Sequence, residues 1–109
     1  MSYHKKERMA ALIVRHIMDI IQSQLKNPNL GFVSINGSKI SKDNSHVKLY
    51  VTFLGQGERD KQLEELQKSK GFIRSELAKR LSIYKVPELD FVYDDSFDKV
   101  AKLEQALNK

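Results

Sequence analysis

Between Lys5 and Lys26, the residues Met9, Leu12, Ile13, Ile17, Ile20 and Ile21 recur at helical spacing. Val14, Met18 and Leu25 widen this apolar face beyond a narrow stripe, and Arg8, Arg15, Asp19, Gln22 and Lys26 form the polar strip that remains. A helix this apolar is expected to lie across a sheet and supply much of the core. The run "NPNLG" ends it, because the residue before Pro28 disfavours the α region and Gly31 closes the turn. Val33 and Ile35 then alternate with Ser34 and Asn36, the parity breaks at Asn36-Gly37-Ser38, and Ile40 resumes on the other phase. The pattern predicts a strand with a β-bulge near Gly37. Ser41 to Ser45 carry turn chemistry. Val47, Leu49, Val51 and Phe53 alternate with Lys48, Tyr50 and Thr52 in a second strand. Two strands joined by so short a loop are antiparallel.

After the turn at Gly55-Gln56-Gly57, a helix is expected from about Glu58, with Leu63 and Leu66 facing in. It runs into "KSKGFIRSELAKRL", Lys68 to Leu81, where Ile73, Leu77 and Leu81 form one core stripe. A straight helix would leave Lys70 near that stripe and Phe72 off it. Glycine within a helix also costs about 1 kcal/mol relative to alanine. A break near Ser69-Lys70-Gly71 eases both conflicts, with Gly71 permitting the bend and close approach from outside. The start of the second helix then offers N–H groups and partial positive charge to a phosphate. Phe72 either enters the core beyond the break or stacks on a base. Pro87 interrupts the chain, Leu89, Phe91 and Tyr93 make a short third strand, and Asp94, Asp95 and Ser96 cap a last helix with Val100, Leu103 and Leu107 on its apolar side. The order is α-β-β-α-(kink)-α-β-α, a single α+β domain over residues 1–109 with helices packed on one face of a three-stranded sheet.

With 109 residues, the chain suffices for one core and not for two. The absence of cysteine excludes a disulfide framework, a cysteine nucleophile and a thiolate metal site, and fits a reducing, cytoplasmic setting. No apolar run approaches the roughly 18 residues of a membrane span. Asn36-Gly37-Ser38 matches a glycosylation acceptor formally, but no secretory signal accompanies it. There is no P-loop, dinucleotide fingerprint or serine elbow. His4, His16 and His46 are scattered, and His16 fits a partly buried position on the first helix. No catalytic residue, metal ligand, cofactor or small-molecule substrate is expected.

Charge changes the picture. The net charge is +5, and the segment from Lys68 to Lys85 holds six basic residues against one acid, Glu76, while the remainder is balanced. A concentrated basic patch on a neutral body is the footprint of an anion binder, most often a nucleic acid. A solvated helix face would carry the same charges.

At this point the chain resembles the ribosome-binding factor A family. The matching stretches are "ERMAALIVRHIMDII", "NPNLGFVSI", "SKDNSHVKLYVTFL", "SKGFIRSELAKRL" and "VPELDFVYDDS", in family order over nearly the whole chain. The resemblance implies a type II KH-like fold. No two glycines here stand three apart, so the GxxG loop of ordinary KH domains is missing. In the family an Ala-x-Gly kink replaces it, and here that kink reads Ser69-Lys70-Gly71. Serine is small enough to keep the bend, and its hydroxyl is placed to cap the second helix. Asn44 stands where the family usually has an apolar residue, and the long C-terminal tail of some members is absent from this sequence.

The resemblance further implies a non-catalytic assembly factor that binds the 30S small ribosomal subunit and 16S rRNA. It would act in late maturation, including 5′ end processing of 16S rRNA, and in adaptation to cold. The expected RNA face comprises Lys68, Ser69, Lys70, Gly71, Arg74, Lys79, Arg80 and Lys85. Lys5, Lys6 and Arg8 on the first helix, and Lys39, Lys42 and Lys48 on the hairpin, are secondary candidates. No membrane partner is expected, and the free protein is expected to be a monomer. The alternatives are a general RNA-binding chaperone and a basic protein-interaction module.

Overall fold

The isoleucine ladder of the first helix sets the architecture. In the computed structural model, which describes residues 2–25, 27–55, 57–81, 85–96 and 107, helix α1 spans Ser2–Ser23. It buries Ile13, Ile17, Ile20 and Ile21. The apolar face is narrower than its composition implies, because Met9 and Leu12 stay 47% and 40% exposed. Leu12 sits about 100° around the helix from Ile13, which turns it off the buried line. His16 is half-buried, as expected.

Strands β1 (Phe32–Ile40) and β2 (His46–Leu54) pair antiparallel, and β3 (Glu88–Tyr93) pairs parallel with β2, giving the order β1-β2-β3. The register jumps from Ile35↔Val51 to Gly37↔Tyr50, so Asn36 is the extra residue of a bulge. The bulge returns Ile40 to the core side, opposite Val47. It also frees Asn36 to act across the sheet, where its Nδ2 donates to Thr52 Oγ1 at 3.2 Å and Asp94 Oδ2 at 3.1 Å. Val33, Ile35, Val47, Leu49, Val51, Leu89 and Phe91 form one buried sheet face. The described helices supply the other half of that core, with Leu66, Ile73 and Leu77 joining the α1 isoleucines.

Helices α2 (Arg59–Lys68) and α3 (Lys70–Leu81) connect β2 to β3. The inner face of α2 differs from expectation. Leu66 is buried, but Gln62 takes the other inward position and Leu63 is only half-buried. The reason lies in a distant loop: Gln62 Nε2 donates to the Leu30 carbonyl at 3.1 Å and satisfies a buried backbone acceptor. Gly57 makes room for it, since a Cβ there would stand 2.6 Å from Gln62 Nε2. At the end of β3, the Asp94 carboxylate accepts the Ser96 N–H at 3.1 Å. The expected last helix, with Val100 and Leu103, falls outside the described residues. Leu107 is 75% exposed and does not join the core.

Candidate nucleic-acid interface

The break between α2 and α3 is a single residue. Ser69 adopts φ −88 and ψ 0, its N–H reaches the Leu66 carbonyl at 3.1 Å, and its own carbonyl accepts Ile73 N–H at 3.0 Å. The serine hydroxyl donates back to the Glu65 carbonyl at 3.0 Å, so it closes α2 and does not cap α3. The Ser69 N–H is thus already occupied, and the Ile73 bond is the ordinary first i→i−4 bond of α3.

Gly71 lies in the first turn of α3 with an ordinary negative-side backbone, and beyond its own helix no described residue stands within 4 Å of where a Cβ would be. The bend therefore does not require glycine, contrary to the argument from helix propensity. What Gly71 leaves is bare backbone facing open space. Phe72, beside it, is 44% exposed and does not enter the core, whereas Ile73 and Leu77 are fully buried.

The basic residues of this segment divide into distinct groups. Arg74 is turned onto the chain itself: Nε donates to the Pro87 carbonyl at 3.2 Å, Nη2 to the Val86 carbonyl at 2.9 Å, and Nη1 pairs with Glu88 at 3.2 Å. Arg80 bridges α3 to α1 through Asp19 at 2.7 Å. Both guanidiniums thus hold elements together. Lys68 and Lys79 are exposed, with solvated pairs to Glu64 and Glu65 at 3.4 and 3.9 Å and to Glu76 at 3.4 Å. Such pairs contribute about 0–1 kcal/mol, so a phosphate can compete for these lysines. Lys70 is half-buried and makes no ion pair with a described residue.

Lys85 belongs elsewhere. It lines a cleft of about 470 Å³ together with Lys5, Lys6 and Lys42, over a floor that includes Met9, Ile13, Ile40 and Pro87. The fold thus gathers three of the secondary candidates and one primary candidate at a single place. Arg8 is exposed on α1. Lys39 and Lys48 face each other across β1 and β2, with Asp90 beside Lys48 on β3. Directly opposed like charges are unfavourable, and Asp90 offsets them.

Two contacts had no local signal in the sequence. The Arg59 guanidinium stacks 4.1 Å above the Tyr93 ring, and Gln67 Nε2 donates to the Phe91 carbonyl at 2.7 Å. Each joins α2 to β3 across more than twenty residues of chain. Two carboxyls are held below their ordinary range by hydrogen bonds: Asp43 by Ser45 and Ser41, and Asp94 by Ser96 and Asn36. Among the described residues, no group of three histidines or carboxylates is placed to hold a metal ion, and no helix is long and apolar enough to cross a membrane.

An α+β domain with an interrupted, glycine-marked basic helix pair between its central and third strands is the class of protein this geometry defines. The chain matches the family described as Ribosome-binding factor A over residues 5–107. A ribosome-binding factor A from Macrococcus caseolyticus is 44% identical over 104 residues, covering 94% of this chain and 91% of the relative. The crystal structure of ribosome-binding factor A from Thermus thermophilus superposes with a TM-score of 0.72 at 26% identity, over 81% of this chain and 94% of that one. Coordinates of the Thermus protein fitted into a cryo-electron microscopy map of a 30S complex give a TM-score of 0.69 at 25% identity, over 81% of this chain and 93% of that one. The protein belongs to the ribosome-binding factor A family.

Proposed function

We propose that the protein docks on the 30S ribosomal subunit during late maturation and contacts 16S rRNA through the α2–α3 junction, without catalysing a reaction. The observation that carries this reading is Gly71. It weakens a helix, it is not required by the bend, and it leaves an open backbone surface beside Lys68 and Lys70. A phosphate backbone can approach such a surface closely, and exposed lysines supply the charge. The 30S complex of the Thermus relative supports the choice of partner.

In this reading Lys68, Lys70 and Lys79 make the phosphate contacts. Ser69 sets the bend, Arg74 and Arg80 hold the surface in place, and Lys39 and Lys48 form a lesser contact on the sheet. Phe72, exposed beside Gly71, stacks on a splayed base. The action is steric and conformational: the protein holds rRNA in a state suited to maturation of its 5′ end, a role that matters most in the cold, and then leaves. It acts in the cytoplasm as a monomer when free.

The test is co-sedimentation with separated small and large subunits across a salt series. Binding to the small subunit alone is expected, weakening with a log–log slope of about −0.7 to −0.9 per phosphate engaged. Equal binding to both subunits, or to neither, overturns the reading. A salt-insensitive complex would favour a protein-interaction module, and tight binding to free RNA with no subunit preference would favour a chaperone.

A further inference from the structure

The lysine-rimmed cleft is remote in sequence from the α2–α3 junction and is built by separate elements. Lys5, Lys6, Met9 and Ile13 come from α1, Ile40, Lys42 and Asn44 from the end of β1 and its turn, and Lys85 and Pro87 from the approach to β3. We propose that this cleft receives one unstacked nucleotide of single-stranded RNA, with the base on the apolar floor and the flanking phosphates on the lysines. The choice of RNA as the source of that nucleotide rests on the docking reading above.

The walls are fixed in advance. On one side, Arg74 grips the carbonyls of Val86 and Pro87, which fixes the backbone that carries Lys85 at the rim and Pro87 on the floor. On the other, the Asp43 carboxylate accepts the Ser41 hydroxyl at 2.8 Å, the Ser45 hydroxyl at 2.6 Å and the Ser45 N–H at 3.1 Å. That closed turn presents Lys42 and holds Asn44 at φ 63, a conformation asparagine tolerates. A site held by its neighbours loses little freedom on binding.

Its lysines are unpaired among the described residues. None of Lys5, Lys6, Lys42 and Lys85 pairs with a described residue, and no carboxylate among the described residues lines the cleft. Asp43, in the adjoining turn, has its carboxylate engaged by Ser41 and Ser45. Four cations around one opening repel each other, and an anion relieves that repulsion. Charge alone would suit any anion, but the floor narrows the choice. Met9 is 47% exposed and Ile13 lies buried behind it, so the cleft presents apolar surface between its cations. A nucleotide offers both halves, a flat base and adjacent phosphates. The volume of about 470 Å³ lies within the roughly 300–1,000 Å³ typical of ligand pockets. Asn44 adds an amide with donor and acceptor, able to meet a base edge. A base stacked in a duplex cannot reach the floor, which makes the site selective for single strands.

The experiment follows methyl and amide NMR signals of the whole chain during titration with a single-stranded RNA hexanucleotide, an RNA duplex of matched charge, and inorganic tripolyphosphate. The hexanucleotide is expected to shift the methyl resonances of Met9, Ile13 and Ile40. Tripolyphosphate is expected to shift lysine-proximal amides alone. The double variant Lys42→Glu/Lys85→Glu should weaken hexanucleotide binding about tenfold and lower its salt slope by about 1.4, two phosphates at about 0.7 each. Met9→Ser should weaken the hexanucleotide and leave tripolyphosphate unchanged. Unmoved floor methyls, equal binding of duplex, or equal loss of both ligands in Met9→Ser would each overturn the proposal. Subunit co-sedimentation that persists while the methyls stay still would retire the cleft and keep the docking reading. A filled cleft in a protein that ignores ribosomal subunits would do the reverse.

Discussion

The α2–α3 junction and the cleft beside α1 are both basic, but they reach that state by opposite routes. At the junction the cations are neighbours in sequence, and folding separates them: Arg74 and Arg80 turn inward onto carbonyls and Asp19, while Lys68 and Lys79 remain outside. In the cleft the cations come from three distant segments, and folding collects them. The division by residue type is physical. A guanidinium offers a rigid fork of donors that suits fixed acceptors, whereas an ammonium on a flexible stem stays hydrated and mobile. Arginine density in a basic run is therefore a poor guide to free positive surface, and lysines far apart in sequence can be a better one.

That contrast can be broken most severely at the lysines of the junction. Lys68→Glu/Lys70→Glu/Lys79→Glu is expected to lower small-subunit affinity by about a hundredfold or more at moderate salt. Its denaturation midpoint should stay near the parent's, because solvated surface substitutions change stability by about 0.5 kcal/mol or less each. Unchanged co-sedimentation would remove the junction from the interface. Arg74→Ala should behave in the opposite way, losing about 2 kcal/mol in urea denaturation, since charged hydrogen bonds to backbone carbonyls disappear at a site only partly screened by solvent. An Arg74→Ala protein of parental stability that fails to bind subunits would return that guanidinium to the RNA face.

Gly71→Ala sharpens the comparison further. With open space at the Cβ position, alanine should stabilise the fold by about 0.5–1 kcal/mol through helix propensity and reduced freedom of the unfolded chain. The same methyl should weaken subunit binding, so a variant that gains thermal stability and loses co-sedimentation is the expected result. Gain without loss would show that nothing approaches that backbone.

The smallest effect concerns the turn that shapes the cleft. The Asp43 carboxyl is held below its ordinary value of 3.8 by the Ser45 and Ser41 hydrogen bonds. A depressed folded pKa contributes stability that is fully present above the unfolded value and is lost as pH falls from there through the folded value. The stability difference between the parent and Asp43→Asn should thus be constant near neutrality and shrink below about pH 4. A difference that grows on acidification would contradict the turn geometry.

Much of this was legible in the chain. The parity slip at Asn36-Gly37-Ser38 located the bulge, because a period of two cannot absorb an extra residue unnoticed. The break near Ser69-Lys70-Gly71 was also legible, although Phe72 stays exposed beyond it, so burial of that ring is not what the bend achieves. Other features carried no local mark. Gln62 is buried because a carbonyl at Leu30, 32 residues away, needs a donor. Met9 and Leu12 belong to an apolar pattern, yet the position of the sheet leaves them outside.

The sequence by itself determined the described elements, their order, the bulge, the kink and the excess of positive charge. Each depends on local conformational preference or on a periodicity that neighbouring residues share. Only the tertiary structure decided which cations are free, that Gly71 faces open space, and that four lysines surround one apolar floor. Those are matters of which side chains meet across the core, and the pairing of distant segments is set by packing the whole chain at once.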